Sequence, residues 1–329
     1  MITIGRKKIA MLILCSLLGF VTYTIWDNHR FVVVEQEIKV NGIQDSFKDF
    51  TILQITDLHE QLFGENQQQL IQAINGIDYD VLVFTGDMLD SIRSKNDSAF
   101  YTIIDGLDNK ENILYVPGNT DPLSYQVDST VETSEFINGL KKRNVTFLES
   151  LYTIDKGESA IHFVNFELSI IKNERALGNV QGVVQPPYAQ NPAYLSYQQQ
   201  LIKDLKVLED MDTSDLLIAV NHYPIVDKRI ETIKASPDLI WRKYDLIIAG
   251  HYHGGQIRLP ILGPIFVPES WYEPNRFFPP ADRVKGLWEY QGTKQYVSAG
   301  LGSSDAVSFL NFRLFNSPEI NVLKLTTKQ

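Results

Sequence analysis

Tyr244-Asp-Leu-Ile-Ile-Ala-Gly-His-Tyr-His253 is the stretch that decides how this 329-residue chain is read. An apolar run of strand length ends in Gly250-His251-x-His253, so two imidazoles stand just past the end of a buried strand. The arrangement recurs elsewhere. Thr51-Ile-Leu-Gln-Ile-Thr56 leads into Asp57-Leu-His59, and Leu216-Leu-Ile-Ala-Val220 leads into Asn221-His222. Val81-Leu-Val-Phe-Thr85 leads into Gly86-Asp87, and Ile113-Leu-Tyr-Val116 into Gly118-Asn119-Thr-Asp121. Four of the six histidines lie in these motifs.

In an α/β sheet, ligands bind outside the carboxyl ends of the strands, where residues distant in sequence converge. Asp57, His59, Asp87, Asn119, Asp121, His222, His251 and His253 are therefore expected to form one cluster. Mixed imidazole and carboxylate donors suit borderline divalent metals such as Mn, Zn, Fe or Ni, and the lack of thiolates argues against iron–sulfur or structural zinc. Taken singly, Asp57 reads as a helix cap and Asp87 as a turn former; eight such groups at strand ends argue for a site.

Outside the motifs, strands alternate with helices up to about residue 120, which implies βαβ units with right-handed crossovers. Apolar spacing predicts helices over Glu65–Ile77, Ala99–Leu107, Thr133–Arg143 and Tyr194–Glu209. Phe31–Val40 reads as a half-buried strand, and Val145–Leu148, Ala160–Phe166, Gln295–Ser298 and Ile320–Leu325 as further strands. The later strands have little helix between them, so the second half is expected to be more antiparallel. The fold class is α/β, with two mixed sheets packed as a sandwich and flanked by helices. Residues 178–192 and 260–280 are rich in Pro and Gly and read as loops, with Trp271, Tyr272, Phe277 and Phe278 packing the second onto the domain. Lipid contact is the other reading of those aromatics.

Arg6-Lys-Lys8 precedes the uncharged run Ile9–Trp26, close to the ~20 residues that cross a bilayer as a helix. The basic flank keeps the N-terminus cytoplasmic and places the rest outside. A cleaved signal peptide is disfavoured, because no A-x-A-like site stands near the end of the run. The expected organisation is a stub and transmembrane anchor over 1–30 and one extracytoplasmic domain over 31–329. Cys15 lies inside the span as lipid-facing packing, so no disulfide can form in the domain. The net charge of −10 disfavours a nucleic-acid groove. No G-x-S-x-G elbow and no G-x-x-x-x-G-K-[ST] loop occurs, which argues against serine hydrolase and ATP phosphotransfer chemistry. The oligomeric state is left open.

With these motifs in this order and spacing, residues 47–305 resemble the calcineurin-like metallophosphoesterase superfamily. Gly254-Gly-Gln-Ile-Arg-Leu-Pro260 after the last motif is similar to its membrane-anchored bacterial subgroup, which agrees with the anchor. The resemblance implies two divalent ions, one held by Asp57, His59, Asp87 and His253, the other by Asp87, Asn119, His222 and His251. Asp87 would bridge them, and a water activated between the ions would attack a phosphoester. Asp87, Asn119 and Asp121 are the implied catalytic residues. The chain departs from the superfamily at Thr120, where a histidine usually aids the leaving group; threonine is no general acid near neutral pH. Three explanations follow: a leaving group that needs no acid, a substitute such as Tyr223 or Tyr252, or weak hydrolysis. The first is favoured. The substrate class expected from location is a lipid-linked or cell-envelope phosphodiester or diphosphate. The alternative is a degenerate metal-binding envelope scaffold. Arg93, Lys95 and Arg258 read as loop cations that would meet an anionic substrate or simply face solvent, His162 as a satisfied strand residue, and His29 as interfacial.

Overall fold

In the computed structural model, residues 6–267, 277–304 and 311–327 are described. The first sheet runs Val32–Val40, Glu319–Thr327, Thr51–Ile55, Val81–Phe84, Ile113–Tyr115, Val145–Phe147 from edge to edge. The second runs Gly286–Tyr290, Thr293–Val297, Leu246–Ala249, Leu216–Val220, Ser159–Asn165, Leu151–Lys156. Side chains alternate between two buried faces, as the strand period requires. In Thr51–Ile55, Ile52 enters the core between the sheets with Ile161, Ile218 and Ile248, while Leu53 and Ile55 pack outward beneath helices. The layers are therefore helix, sheet, sheet, helix, in agreement with the sandwich expected.

Antiparallel pairing is more frequent in the later part, as expected, but it is confined in the second sheet to its two edges: Ser159–Asn165, Leu216–Val220, Leu246–Ala249 and Thr293–Val297 pair in parallel. The crossover helix Asp227–Ala235 joins two of these strands and went unpredicted. Its sequence is polar, and Ile230 and Ile233 are the apolar residues it buries.

The predicted helices form, with ends shifted by a few residues. Glu65–Ile77 becomes a 3-10 turn over Glu65–Gln67 and an α-helix over Gln68–Asn75, because Asn66 and Gln67 adopt positive φ. Ala99–Leu107 becomes Ser98–Asp105. Ser134 caps Glu135–Lys141 by accepting from Ile137 N, and Asn191 caps Pro192–Asp204, with the proline at the first position, where no N–H is needed. The N-terminal helix spans Arg6–Asn28, and its apolar segment is exposed on the protein, Cys15 included. Residues 178–192 contain no strand and no helix before Pro192. Phe277 and Phe278 remain 63% and 58% exposed rather than packed onto the domain, and Trp271 and Tyr272 lie outside the described residues.

Candidate metal centre

The motif residues of the two sheets meet at one edge of the sandwich. Buried Gln54, on the first sheet, donates to Ala249 O of the second at 2.8 Å, and the backbone N–H of His251 donates to the Asp57 carboxylate at 3.1 Å. Glycine permits this closeness: a Cβ on Gly250 would overlap Thr56 Oγ1 and Asp57 Oδ2, and one on Gly118 would overlap Asp87 Oδ1.

Two groups result. Asp57, His59 and His253 form one, and Asp87, His222 and His251 the other; within each, the donor atoms lie within 4.8 Å of one another. His222 Nε2 is 3.2 Å from Asp87 Oδ2, 3.2 Å from Asn119 Oδ1 and 3.1 Å from His251 Nδ1. Asp87 Oδ2 also lies 3.7 Å from His59 Nε2, so this carboxylate stands between the groups. Asp57, His59, Asp87, His251 and His253 all have positive φ, a costly conformation for residues with a Cβ, which persists where the surroundings impose it.

Contacts at the opposite ring nitrogen aim three of the imidazoles. His222 Nδ1 donates to Thr85 O at 2.8 Å and His253 Nδ1 to Gly302 O at 3.2 Å, which leaves each Nε2 facing the cluster. His59 Nδ1 is 3.3 Å from the Asp90 carboxylate. Arg313, fully buried, braces the same wall by donating to Gly302 O at 2.8 Å and Ala299 O at 2.5 Å. Asp90, Thr85, Gly302 and Arg313 were not singled out in the sequence; the only local signal was Asp90, three residues after Asp87.

Asp121 is placed differently from the other motif residues. Its Oδ1 accepts from Met88 N and Leu89 N, and its Oδ2 from Asp87 N, Gly118 N and Tyr115 Oη, all at 2.8–3.1 Å. The carboxylate is thus saturated inside the loop that carries Asp87. Thr120 donates its backbone N–H to Asp87 Oδ1 at 2.8 Å and its hydroxyl to Leu89 O at 2.6 Å. Asn221 binds Glu167 Oε1, which is paired with Arg229. His162 is satisfied across the strand by Thr153, as expected. Arg258 donates to Gly254 O, and Arg93 and Lys95 are exposed.

Electrostatically, the carboxylates and imidazoles of the cluster shift one another's protonation. Burial alone would raise the Asp87 pKa, but the charges of His222 and His59 hold it well below the usual carboxylate range. Burial pushes the Asp57 carboxyl up to about 6. Burial would lower the His222 imidazole, yet Asp87 lifts it to about 9. Burial pushes His253 well below its ordinary value. His59 Nε2 is buried without a hydrogen-bond partner, which is costly unless something else binds it. An orphaned imidazole nitrogen beside carboxylates fits a divalent cation in the Asp57–His59–His253 group, and the mixed imidazole and carboxylate donors of the other group fit a second.

Two cavities flank the cluster. One, of about 390 Å³, lies beside Asn119, with Tyr223, Asn221 and Tyr188 in its walls. The other, of about 870 Å³, lies beside His59 and Asp90. Of the two tyrosines considered as substitutes for the missing histidine, Tyr223 lines the first cavity, whereas Tyr252 is packed among Val226, Val267 and Val297.

The family model described as calcineurin-like phosphoesterase matches residues 50–255. The chain is 26% identical over 313 residues to the uncharacterized metallophosphoesterase YkuE of Bacillus subtilis, covering 93% of this chain and 89% of that protein. It is 24% identical over 259 residues to an uncharacterized metallophosphoesterase of Helicobacter pylori, covering 78% of this chain and 55% of that one. Among solved structures, phosphopantetheinyl hydrolase from Mycobacterium tuberculosis aligns with a TM-score of 0.42 at 14% identity, over 78% of this chain and 91% of that one.

Proposed function

We propose, because this chain belongs to the calcineurin-like phosphoesterase family, that its metal-dependent phosphoesterase activity serves to cleave a phosphodiester or diphosphate at the outer face of a membrane. The observation that carries the two-ion reading is Asp87, whose carboxylate stands between two groups of ligand-type atoms. In this assignment Asp57, His59, Asp87 and His253 hold one ion, and Asp87, Asn119, His222 and His251 the other. Two divalent ions there would supply Lewis acidity and a water of lowered pKa for in-line displacement at phosphorus. The imidazole and carboxylate donors suit Mn, Zn, Fe or Ni.

The chain's own residues then divide the remaining work. The Asn119 amide oxygen adds a neutral donor, which limits the negative charge that a substrate phosphate must approach. Asp121, with both oxygens engaged, holds the backbone of the Asp87 loop rather than moving a proton. The hydroxyl of Thr120 is committed to Leu89 O, so it has no proton directed at a leaving oxygen. This supports a substrate whose leaving group departs without an acid, such as a diphosphate.

The membrane part of the reading rests on the exposed apolar helix with Lys7 and Lys8 at its start. It divides the chain into an anchor over 1–30 and a domain over 31–329. Full-length protein in detergent should bind about two Mn per chain, by the two-metal logic, and hydrolyse bis(p-nitrophenyl) phosphate only with metal, while Asp87→Asn should abolish both. A wild-type protein that binds metal and cleaves no phosphoester would refute the reading.

A further inference from the structure

The last turns of the N-terminal helix line a cavity that opens beside His59. The 870 Å³ cavity has Phe20, Val21 and Ile25 of that helix on one side and His59, Asp90 and Leu62 on the other. The helix is docked rather than tethered. Asn28 exchanges two hydrogen bonds with the Arg313 backbone, donating to its O at 2.8 Å and accepting from its N at 2.6 Å. Asp27, buried, joins Arg30 at 2.6 Å to Ser317 at 2.8 Å. Phe315 packs on Phe20 and Tyr23, with ring centroids 6.1 and 6.3 Å apart.

The lining is polar and charged on the side of the motif loops, with His59, Asp90 and Glu60, whose carboxylate is held by Ser94 and Asn96, and apolar on the helix side, with Phe20, Val21 and Ile25. From Asn28 to Phe20 an α-helix descends about 12 Å, roughly the distance from a bilayer surface into the acyl region. Phe20, Val21 and Ile25 remain 42–58% exposed, and Leu62 is 53% exposed near the same opening. A water-soluble phosphoester gains nothing from such a wall, whereas an acyl chain does, at about 0.8 kcal/mol per buried CH₂.

Resting on the phosphoesterase reading above, we propose that this cavity admits an acyl-chain-bearing phosphoester laterally from the bilayer, its phosphate at the Asp57–His59–His253 end and its chain along Phe20–Ile25. The anchor would then act as part of the substrate site as well as a tether.

The test uses full-length protein in liposomes, with Mn and phosphatidylglycerol, an acylated phosphodiester, carrying a photoreactive diazirine in one acyl chain. Label should reach Leu62 and Phe312 in the wild type. Ile25→Trp, which narrows the cavity, should cut that label by about tenfold, equivalent to ~1.4 kcal/mol, and cut it far more than it slows bis(p-nitrophenyl) phosphate hydrolysis. Val21→Trp should behave alike. Equal labelling by the matching diacylglycerol, which has no phosphate, would overturn the proposal, as would labelling indifferent to both substitutions. Aryl hydrolysis falling in step with the label in both variants would mean that the anchor only holds the site in shape, and crosslinks between Leu62 and a second copy would assign the cavity to dimerisation; either overturns it. Specific labelling of a wild type that hydrolyses nothing would instead count against the hydrolase reading and leave the lipid cleft standing.

Discussion

Asp121 Oδ2 accepts the backbone N–H of Asp87 at 2.8 Å, so one buried carboxylate sets the backbone from which another reaches the metal cluster. Four other donors, from Met88, Leu89, Gly118 and Tyr115, share the Asp121 carboxylate. An Asn at this position would turn an NH₂ toward donors and leave buried N–H groups unpaired, at a cost of about 1–3 kcal/mol each. Asp121→Asn should therefore lower Tm and reduce metal content together with activity. Normal Tm and metal content with activity abolished would instead make Asp121 a proton-transfer group.

Gly118 tests the closeness on which Asp87 depends. A methyl group there would overlap Asp87 Oδ1 and the Asp87 backbone N. Gly118→Ala should push the carboxylate off its position between the groups, cost about 1–3 kcal/mol as overpacking does, and lower metal occupancy in plasma emission measurements. Full occupancy with native activity would show that the loop yields without loss.

The proton economy of the cluster predicts opposite pH slopes with and without metal. His222 rises to about 9 when folded, above its unfolded value, so its contribution to stability is complete below the unfolded pKa and is lost as pH climbs through 9. Asp57 is raised to about 6, so the folded protein holds a proton that the unfolded chain releases, and stability falls as pH rises toward 6. Asp87 runs the other way: its lowered pKa gives stability present above the unfolded value and lost in acid. Between pH 6 and 9 His222 dominates, and metal-free protein should lose Tm. Metal binding requires the same imidazole deprotonated, so the protein with Mn should gain affinity and Tm over that interval. Thermal melts at both pH values, with EDTA or Mn, decide it; parallel slopes would remove His222 from the ligand set.

The family-defining half of the fold was legible because each buried strand is an unbroken apolar run that stops at a polar motif, as before Asp57 and before His251. The parallel order of the second sheet was not legible, since its crossover helix Asp227–Ala235 shows an apolar face of only Ile230 and Ile233 among charged residues. The contacts that aim the imidazoles were invisible for another reason. Arg313 reaches the wall behind His253 from a position 60 residues away, and Asn28 reaches Arg313 across 285. Neither partner carries a local pattern, so only the folded chain reveals them. Phe277 and Phe278 read as packing residues from hydrophobicity alone, yet the turn leaves both rings outside.

Thr120 offers the sharpest test of the chemistry. Its hydroxyl is held by Leu89 O at 2.6 Å and its N–H by Asp87 Oδ1 at 2.8 Å, which fixes the backbone but leaves no acid at this position. Thr120→His would give up the Leu89 bond, costing about 1 kcal/mol, and keep the backbone bond. If the natural leaving group departs without protonation, the added imidazole should speed cleavage of an alkyl phosphodiester by roughly 10²-fold, the lower range for a general acid. Cleavage of bis(p-nitrophenyl) phosphate, whose phenolate leaves readily, should stay near wild type. The decisive comparison is the ratio of kcat/KM for the two esters, measured at full metal occupancy. No rise in that ratio would sink the leaving-group account and turn attention to Tyr223, which lines the cavity beside Asn119; Tyr223→Phe would then be expected to slow the alkyl ester more than the aryl one.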